Sequence, residues 1–337
     1  MRGHPHILIV SGVYPTPDRP HSGTFIRSQV ESLIDAGAEV TVIHPPPGPV
    51  PVRYARAVLR VLLETTRRRY DVVHGHYGLW CLVARLQWSA PIVASFLGDD
   101  VLGTRTPAGD ITPKSRVVAA LSRGLARVVD AVIVKSEEMR RAIPSGNVHV
   151  IPNGVDFTLF HPIPQTEARA ALGWDPDRRY VVFGNDPAIP VKNFPLARSA
   201  VDRLRERGTE VELVVATGLP QETLVLYLNA ADALILSSMA EGSPNIVKEA
   251  MACNVPVVAT DVGDVAQVIA HTAGCAVCCH SAADLADGLE RALAHHGKTT
   301  GREDIRHLDR AVVAGRLLDL YAQIAPSRVV APSEVEA

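Results

Sequence analysis

Short apolar runs alternate with stretches of helical periodicity from one end of the chain to the other. Ile7-Leu8-Ile9-Val10 is continuously apolar, as befits a strand buried on both faces of a parallel sheet. Ile26, Val30, Leu33 and Ile34 then recur at helical spacing, with Thr24 as the expected N-cap and Gly37 as the stop. Val40-Thr41-Val42-Ile43, Asp71-Val72-Val73-His74, the run from Pro91 to Phe96, Ala131-Val132-Ile133-Val134 and His149-Val150-Ile151 read as further strands. A helix is expected over 116–129, and Ser136 is placed to cap the next one. Turn chemistry follows at Pro152-Asn153-Gly154-Val155-Asp156.

The pattern then repeats. Helices are expected over 168–172, 195–207, 221–229, 282–295 and 308–324, and strands at Tyr180–Phe183, Glu212–Val215, Ala233–Leu236 and Pro256–Ala259. Alternating strands and helices in two blocks predict an α/β chain of two Rossmann-like domains facing each other across a cleft. The first domain is expected over 1–155 and the second over 156–305. A C-terminal helix over 306–325 and a disordered tail over 326–337, with two prolines and few large apolar residues, complete the chain.

One βαβ unit carries the clearest chemistry. Between the strands at 233–236 and 256–259 lies Glu241-Gly242-Ser243-Pro244-Asn245-Ile246-Val247-Lys248-Glu249. Ser243 suits an N-cap and Pro244 the first helical position, so the first-turn N–H groups of this helix face the carboxyl edge of the sheet, where they suit an anion. Glu241 precedes the helix and Glu249 lies about a turn and a half inside it. That layout fits a nucleotide sugar, with hydroxyls at each end and a diphosphate between them.

Composition narrows the classes. The 337 residues suit two domains, and 47% hydrophobic with 21% charged residues is ordinary for a globular protein. A net charge of −2 argues against a general nucleic-acid binder. The four apolar residues Ile7 to Val10 fall short of a secretory leader, and no run reaches the length of a membrane span. Cys81, Cys253, Cys275, Cys278 and Cys279 form no disulfide framework, and Cys275-x-x-Cys278-Cys279 lacks the second pair a zinc site needs. Reduced thiols and a cytoplasmic location are expected. The dinucleotide fingerprint G-x-G-x-x-G is absent after the first strand, which disfavours a nicotinamide enzyme. Arg53, Arg56, Arg60 and Arg67 share one helical face, with Val58, Leu59, Leu62 and Leu63 on the other. They are expected to form either a solvated surface helix or, through Arg53, Arg56 and Arg60, a peripheral contact with the inner membrane face.

Glu241-Gly242-Ser243-Pro244-x4-Glu249, followed by Ala250-Met251-Ala252-Cys253 and by Pro256-Val257-Val258-Ala259-Thr260-Asp261-Val262-Gly263-Asp264, resembles the retaining glycosyltransferases of family 4, which have the GT-B fold. It is most similar to the bacterial teichuronic-acid and capsule-type subgroup. The resemblance extends from the first strand to about residue 280. Ile151–Asp156 resembles the segment that ends the first domain in this family.

The resemblance implies sugar transfer from a nucleoside diphosphate sugar, with a UDP-sugar favoured, to a small-molecule, glycan or lipid-linked hydroxyl, with retention of configuration. It implies neither a resident cofactor nor a metal. By it, Glu241 and Lys192 are catalytic. Glu249, Gly242, Ser243, Pro244, Asn245, Ile246 and Gly23 bind the donor, and His76 and Asp100 lie on the acceptor side. The last helix is expected to cross back onto the first domain. Two departures stand out: Leu97 where many relatives have a histidine, and no arginine in Gly184-Asn185-Asp186-Pro187 ahead of Lys192. They keep open a donor-binding partner subunit without turnover. A sugar-nucleotide epimerase on the same architecture is a further alternative.

Overall fold

A computed structural model describes residues 4–19, 22–104, 106, 110–144, 146–295 and 298–325. The expected tail over 326–337 lies outside the described residues. The chain divides after Gly154 and again before Arg310. Among the described residues, one unit holds those up to Thr104, Ile111–Gly154 and Arg310–Ala325; the other holds Thr106, Asp110 and Val155–Asp309.

The first unit runs β1 (His6–Ser11), α1 (Thr24–Asp35), β2 (Glu39–Ile43), α2 (Val50–Arg67), β3 (Val72–His76), α3 (Gly78–Arg85), β4 (Ile92–Ser95), α4 (Asp99–Leu102), α5 (Pro113–Leu125), β5 (Ala131–Val134), α6 (Glu137–Arg141) and β6 (Val148–Val150). Its six strands are parallel in the order β2-β1-β3-β4-β5-β6. Alternation along β1 divides the core in two, because successive side chains leave opposite faces. Ile7 and Ile9 join Ile26, Leu33, Val72 and Ile133 on one face, while Leu8 and Val10 join Val61, Val73 and Trp80 on the other.

The second unit runs α7 (Gln165–Leu172), β7 (Tyr180–Phe183), α8 (Phe194–Glu206), β8 (Glu212–Val215), α9 (Gln221–Ala230), β9 (Ala233–Leu236), α10 (Asn245–Ala252), β10 (Val257–Thr260), α11 (Val265–Ile269), β11 (Ala276–Cys278), α12 (Ala282–Ala294) and α13 (Gly301–Asp304). Its five parallel strands lie in the order β11-β10-β9-β7-β8. Sequence order reverses between β7 and β9, and in open parallel sheets the crevice outside such strand ends is where ligands bind. The loop after β7 carries Lys192 and the loop after β9 carries Glu241.

The last helix, α14 (Arg310–Ile324), belongs to the first unit and packs on α1. It starts two residues later than its apolar pattern suggests, since Arg306–Leu308 forms a separate 3₁₀ turn. Tyr321 lies fully buried with its hydroxyl 2.6 Å from His74 Nδ1, and His74 Nε2 is 2.7 Å from Ser95 Oγ. A buried polar chain thus ties α14 to the middle of the first sheet.

Two local expectations need correction. Thr24 does not cap α1: Gly23 takes the N-cap position in the left-handed region at φ 75°, with no side-chain cap. Ser136 does cap α6, accepting from Met139 N–H. On α2 the faces differ from the simple pattern. Ala57 and Val61 are buried, whereas Leu59, Leu62 and Leu63 stand exposed beside Arg56 and Arg60. Arg53 turns inward instead, donating from Nη2 to the Gly12 carbonyl at 3.0 Å and lying 5.7 Å from the Trp80 ring centre. Its place within the first turn of α2, beside the end of β1, brings it over the sheet rather than away from it.

Candidate active site

The loops after β7 and β9 are fastened to each other. Met239 N–H donates to the Val191 carbonyl at 2.8 Å, and Ser237 Oγ lies 2.9 Å from the Asn193 carbonyl. Gly184 follows β7 where a Cβ would sit 2.4 Å from Ile246 Cγ1, so only glycine lets this strand end pass the first turn of α10. The loop then closes through the 3₁₀ turn Pro190–Lys192 and Asn193, whose φ of 52° is left-handed.

This fastening brings two expected residues together. Lys192 Nζ donates to Glu241 Oε1 at 2.6 Å, and Ser238 Oγ donates to the same oxygen at 2.7 Å. Both charged side chains are largely but not fully covered, at 21% and 12% exposed, so the pair reaches solvent. The sequence reading gave Lys192 to a diphosphate and Glu241 to a sugar without pairing them. Forty-nine residues separate the two, and no local spacing announces the contact.

The helix start differs from expectation. α10 begins at Asn245, Pro244 occupies the N-cap position with ψ 115°, and no side chain caps the helix. Ser243 Oγ donates instead to Asp264 Oδ2 at 2.5 Å and accepts from Lys248 Nζ. Gly242 is buried beneath the turn after β10: a Cβ on Gly263, at φ 60°, would sit 2.6 Å from the Gly242 carbonyl oxygen. Ile246 is buried, and α10 starts without a side-chain cap, so its positive dipole end suits an anion.

Glu249 lies half-buried farther along α10, with no hydrogen-bond partner for its carboxyl among the described residues. Burial pushes that carboxyl up to about 7, with Lys248 pulling in the other direction. A carboxyl held near neutrality without a protein partner is suited to accept hydroxyl hydrogens from a ligand.

The remaining expected residues lie in the first unit. Gly23 is needed for close approach, since a Cβ there would meet the Val13 carbonyl carbon at 2.9 Å. His76 belongs to β3 rather than to the loop after it, and its ring stacks on His74 with centroids 4.3 Å apart. Burial, with Lys135 adding to it, pushes His76 down to about 3, so the ring is neutral. His76 Nδ1 is buried without a partner, and Nε2 lies 3.4 Å from the Gln29 amide nitrogen. Asp100 is fully buried and takes N–H bonds from Gly78, Leu97 and Gly98, each at 2.9 Å. Its carboxylate therefore clasps the ends of two strands, a role that strand-end acidity alone does not reveal. Burial raises it to about 6 despite those three donors.

Sequence reasoning missed Lys248, Asp264 and Gly184. For Gly184 the signal was present, a glycine directly after a strand. For Lys248 and Asp264 it was not, because only the fold shows that they meet at Ser243.

Comparison with known proteins bears on the family and the fold. The family of group 1 glycosyl transferases matches residues 146–295, and Glycosyltransferase Family 4 matches residues 1–159. A Bacillus subtilis protein named a teichuronic acid biosynthesis glycosyltransferase is 26% identical, over 85% of this chain and 88% of its own. Among solved structures, the sucrose-phosphate synthase of Thermosynechococcus elongatus superimposes with a TM-score of 0.72 at 20% identity, over 96% of this chain and 100% of that one. HepE of Anabaena, solved with UDP and glucose, superimposes with a TM-score of 0.66 at 17% identity, over 95% and 100%. The two family matches join end to end over nearly all of the α/β elements, the neighbours share the GT-B fold, and the chain belongs to glycosyltransferase family 4, the group 1 glycosyl transferases.

Proposed function

We propose that the chain transfers a glycosyl group from a nucleoside diphosphate sugar, with UDP as the favoured nucleotide, to an acceptor hydroxyl with retention of configuration and without a metal. The observation that carries this is the arrangement along one sheet edge: Lys192 paired with Glu241 before α10, the helix start beside them, and Glu249 within the helix, whose carboxyl has no hydrogen-bond partner among the described residues. The diphosphate meets Lys192 and the N–H groups at Asn245 and Ile246. Glu249 takes the ribose hydroxyls, and Glu241 the sugar hydroxyls near the anomeric carbon.

When the bond from the anomeric carbon to phosphate breaks, its electron pair stays on the diphosphate. Lys192 and the helix start lie where that charge grows, which is the economical place for electrostatic stabilisation. The UDP in the Anabaena neighbour supports the nucleotide, and the family resemblance supports retention. No helix among the described residues is long and apolar enough to cross a membrane. The exposed Leu59, Leu62 and Leu63 with Arg56 and Arg60 on α2 support a peripheral contact with an anionic bilayer, as for a lipid-linked acceptor.

Two variants test the placement. Glu249→Ala weakens both UDP and intact donor, since both contain the ribose. Glu241→Ala leaves UDP binding nearly intact and cuts transfer by on the order of a hundredfold, because the sugar loses its orientation at the reacting carbon. Calorimetry with UDP and a transfer assay on both variants decide. Loss of UDP binding in Glu241→Ala with none in Glu249→Ala would reverse the donor's direction. A chain that binds UDP-sugar and shows no turnover is the partner subunit instead.

A further inference from the structure

The neighbouring strands β11, β10, β9 and β7 of the second sheet meet through their carboxyl ends at the fully buried pair Ser237-Ser238, which follows β9. Ser237 Oγ reaches the loop after β7, 3.1 Å from the Lys192 carbonyl and 2.9 Å from that of Asn193. Ser238 Oγ donates to Glu241 Oε1 at 2.7 Å. The Ser238 carbonyl accepts from Thr260 Oγ1, at the end of β10, at 2.7 Å. It accepts again from His280 Nε2, two residues beyond β11, at 2.8 Å. A carbonyl oxygen has two lone pairs, and here both are used. Because a carbonyl can only accept, His280 Nε2 carries the hydrogen.

His280 is exposed, and the turn that carries it is fixed without its side chain. Cys279 N–H donates to Asp284 Oδ2 at 2.6 Å, and Ser281 caps α12 by accepting from Asp284 N–H. The fold at this turn therefore needs no imidazole. The ring nonetheless crosses the end of β10 to bond the residue after β9, which holds a solvated side chain in one place at the loss of its rotamer freedom. The residue it holds is the one whose hydroxyl bonds Glu241. Lys192 bonds the same carboxylate oxygen from the loop after β7. The direction of the Glu241 carboxylate is thus set by two donors, and His280 fixes the peptide unit of one of them.

We propose that His280 is a positioning residue for Glu241: its bond to the Ser238 carbonyl fixes the residue whose hydroxyl aims the Glu241 carboxylate at the donor sugar. This rests on the reading of Glu241 as the residue that orients the sugar. The chain of bonds from His280 ends at Glu241, so its loss is felt at the reacting carbon and far less at the nucleotide.

The test uses the full chain, with UDP and UDP-glucose as probes. Release of UDP from UDP-glucose gives kcat and KM, and calorimetry gives UDP affinity. Hydrogen exchange reports the Met239 amide, which follows Ser238 and donates to the Val191 carbonyl. His280→Ala lowers kcat about tenfold, changes UDP affinity by less than about twofold and speeds exchange at Met239. His280→Gln presents an amide N–H at a similar reach and keeps kcat within about threefold of the wild type. On a Glu241→Ala background, His280→Ala lowers kcat by less than about twofold more, because it acts through Glu241. That non-additivity and the glutamine rescue support the proposal, since a merely loosened turn adds its own loss and gains nothing from the amide. An unchanged kcat in His280→Ala, an equal loss of UDP affinity, additive losses, or no rescue by glutamine overturns it while Glu241→Ala alone still impairs turnover. If Glu241→Ala turns over UDP-glucose as the wild type does, or the wild type releases no UDP, the reading of Glu241 falls and this inference with it.

Discussion

Glu249 has a carboxyl raised from the ordinary 4.5 to about 7, mainly by burial. Between those values the folded protein binds more protons than the unfolded chain, so stability falls as pH rises across that window and the loss is complete above it. Glu249→Gln cannot ionise. Its melting temperature should therefore fall less than that of the wild type between pH about 5 and about 8. The same group reports on ligand placement. Ribose hydroxyls that donate to the carboxylate favour its ionised form, so uridine affinity should rise with pH through about 7 in the wild type and stay flat in Glu249→Gln. Uridine has no group of its own that titrates in that range. A flat wild-type profile would place the ribose elsewhere. The neighbouring pair gives a second residue-scale expectation. Lys192→Ala removes the cation facing the phosphates and leaves Glu241 with Ser238 as its remaining partner. UDP should weaken tenfold or more, from the ~1.5–3 kcal/mol of a charged hydrogen bond, and uridine much less. Equal loss of both ligands would assign Lys192 to the fold.

At the scale of elements, α2 is where periodicity and structure part most usefully. Its arginines share a helical face in the sequence, yet Arg53 is drawn over Gly12 and Trp80 while Leu59, at 59% exposed, stands outside. The contact surface to test is thus Leu59, Leu62 and Leu63 with Arg56 and Arg60, and Arg53 is excluded. Sedimentation with vesicles containing phosphatidylglycerol should recover the chain at low salt and less of it at high salt. Arg56→Ala and Arg60→Ala should each cost about 1 kcal/mol of binding, and Leu59→Ser/Leu63→Ser most of it. Equal recovery with and without the anionic vesicles removes the membrane contact. Elsewhere the elements were legible because buried parallel strands are written as continuous apolar runs, as in Ile7–Val10 and Ala233–Leu236. Helix starts were less so. Ser136 caps as expected, whereas Ser243 has the right identity and neighbours but is claimed by Lys248 and Asp264. A cap is a local choice, and a buried charge pair formed through the tertiary fold outweighs it. The glutamate pair of the motif was legible from its spacing. The Lys192 contact with Glu241 was not, since it depends on the order of β7 and β9 within the sheet.

For the molecule as a whole, the decisive fact is that each unit has its own core. The buried clusters around Ile9 and Leu8 draw on the first unit, including Leu317 and Tyr321 from α14. Those around Val182 and Val181 draw on the second. Such a chain need not unfold in one step, so a perturbation should register in the unit that contains it. Tyr321→Phe deletes the hydroxyl 2.6 Å from His74 Nδ1 and leaves that nitrogen buried without it, at about 1–3 kcal/mol. UDP acts on the other side: at about 100 times its dissociation constant it should stabilise the unit that binds it by ~2.7 kcal/mol. Hydrogen exchange separates the two effects. Tyr321→Phe should lower protection of the amides in β1, β3 and β5 and leave β7, β9 and β10 unchanged. UDP should raise protection in β7, β9 and β10, and more so at Lys192 and the start of α10. If Tyr321→Phe lowered both sets of strands alike, the two cores would unfold as one. If UDP protected the first set and not the second, the nucleotide site would lie in the first unit, and the assignment of Lys192, Glu241 and Glu249 to the donor would fall.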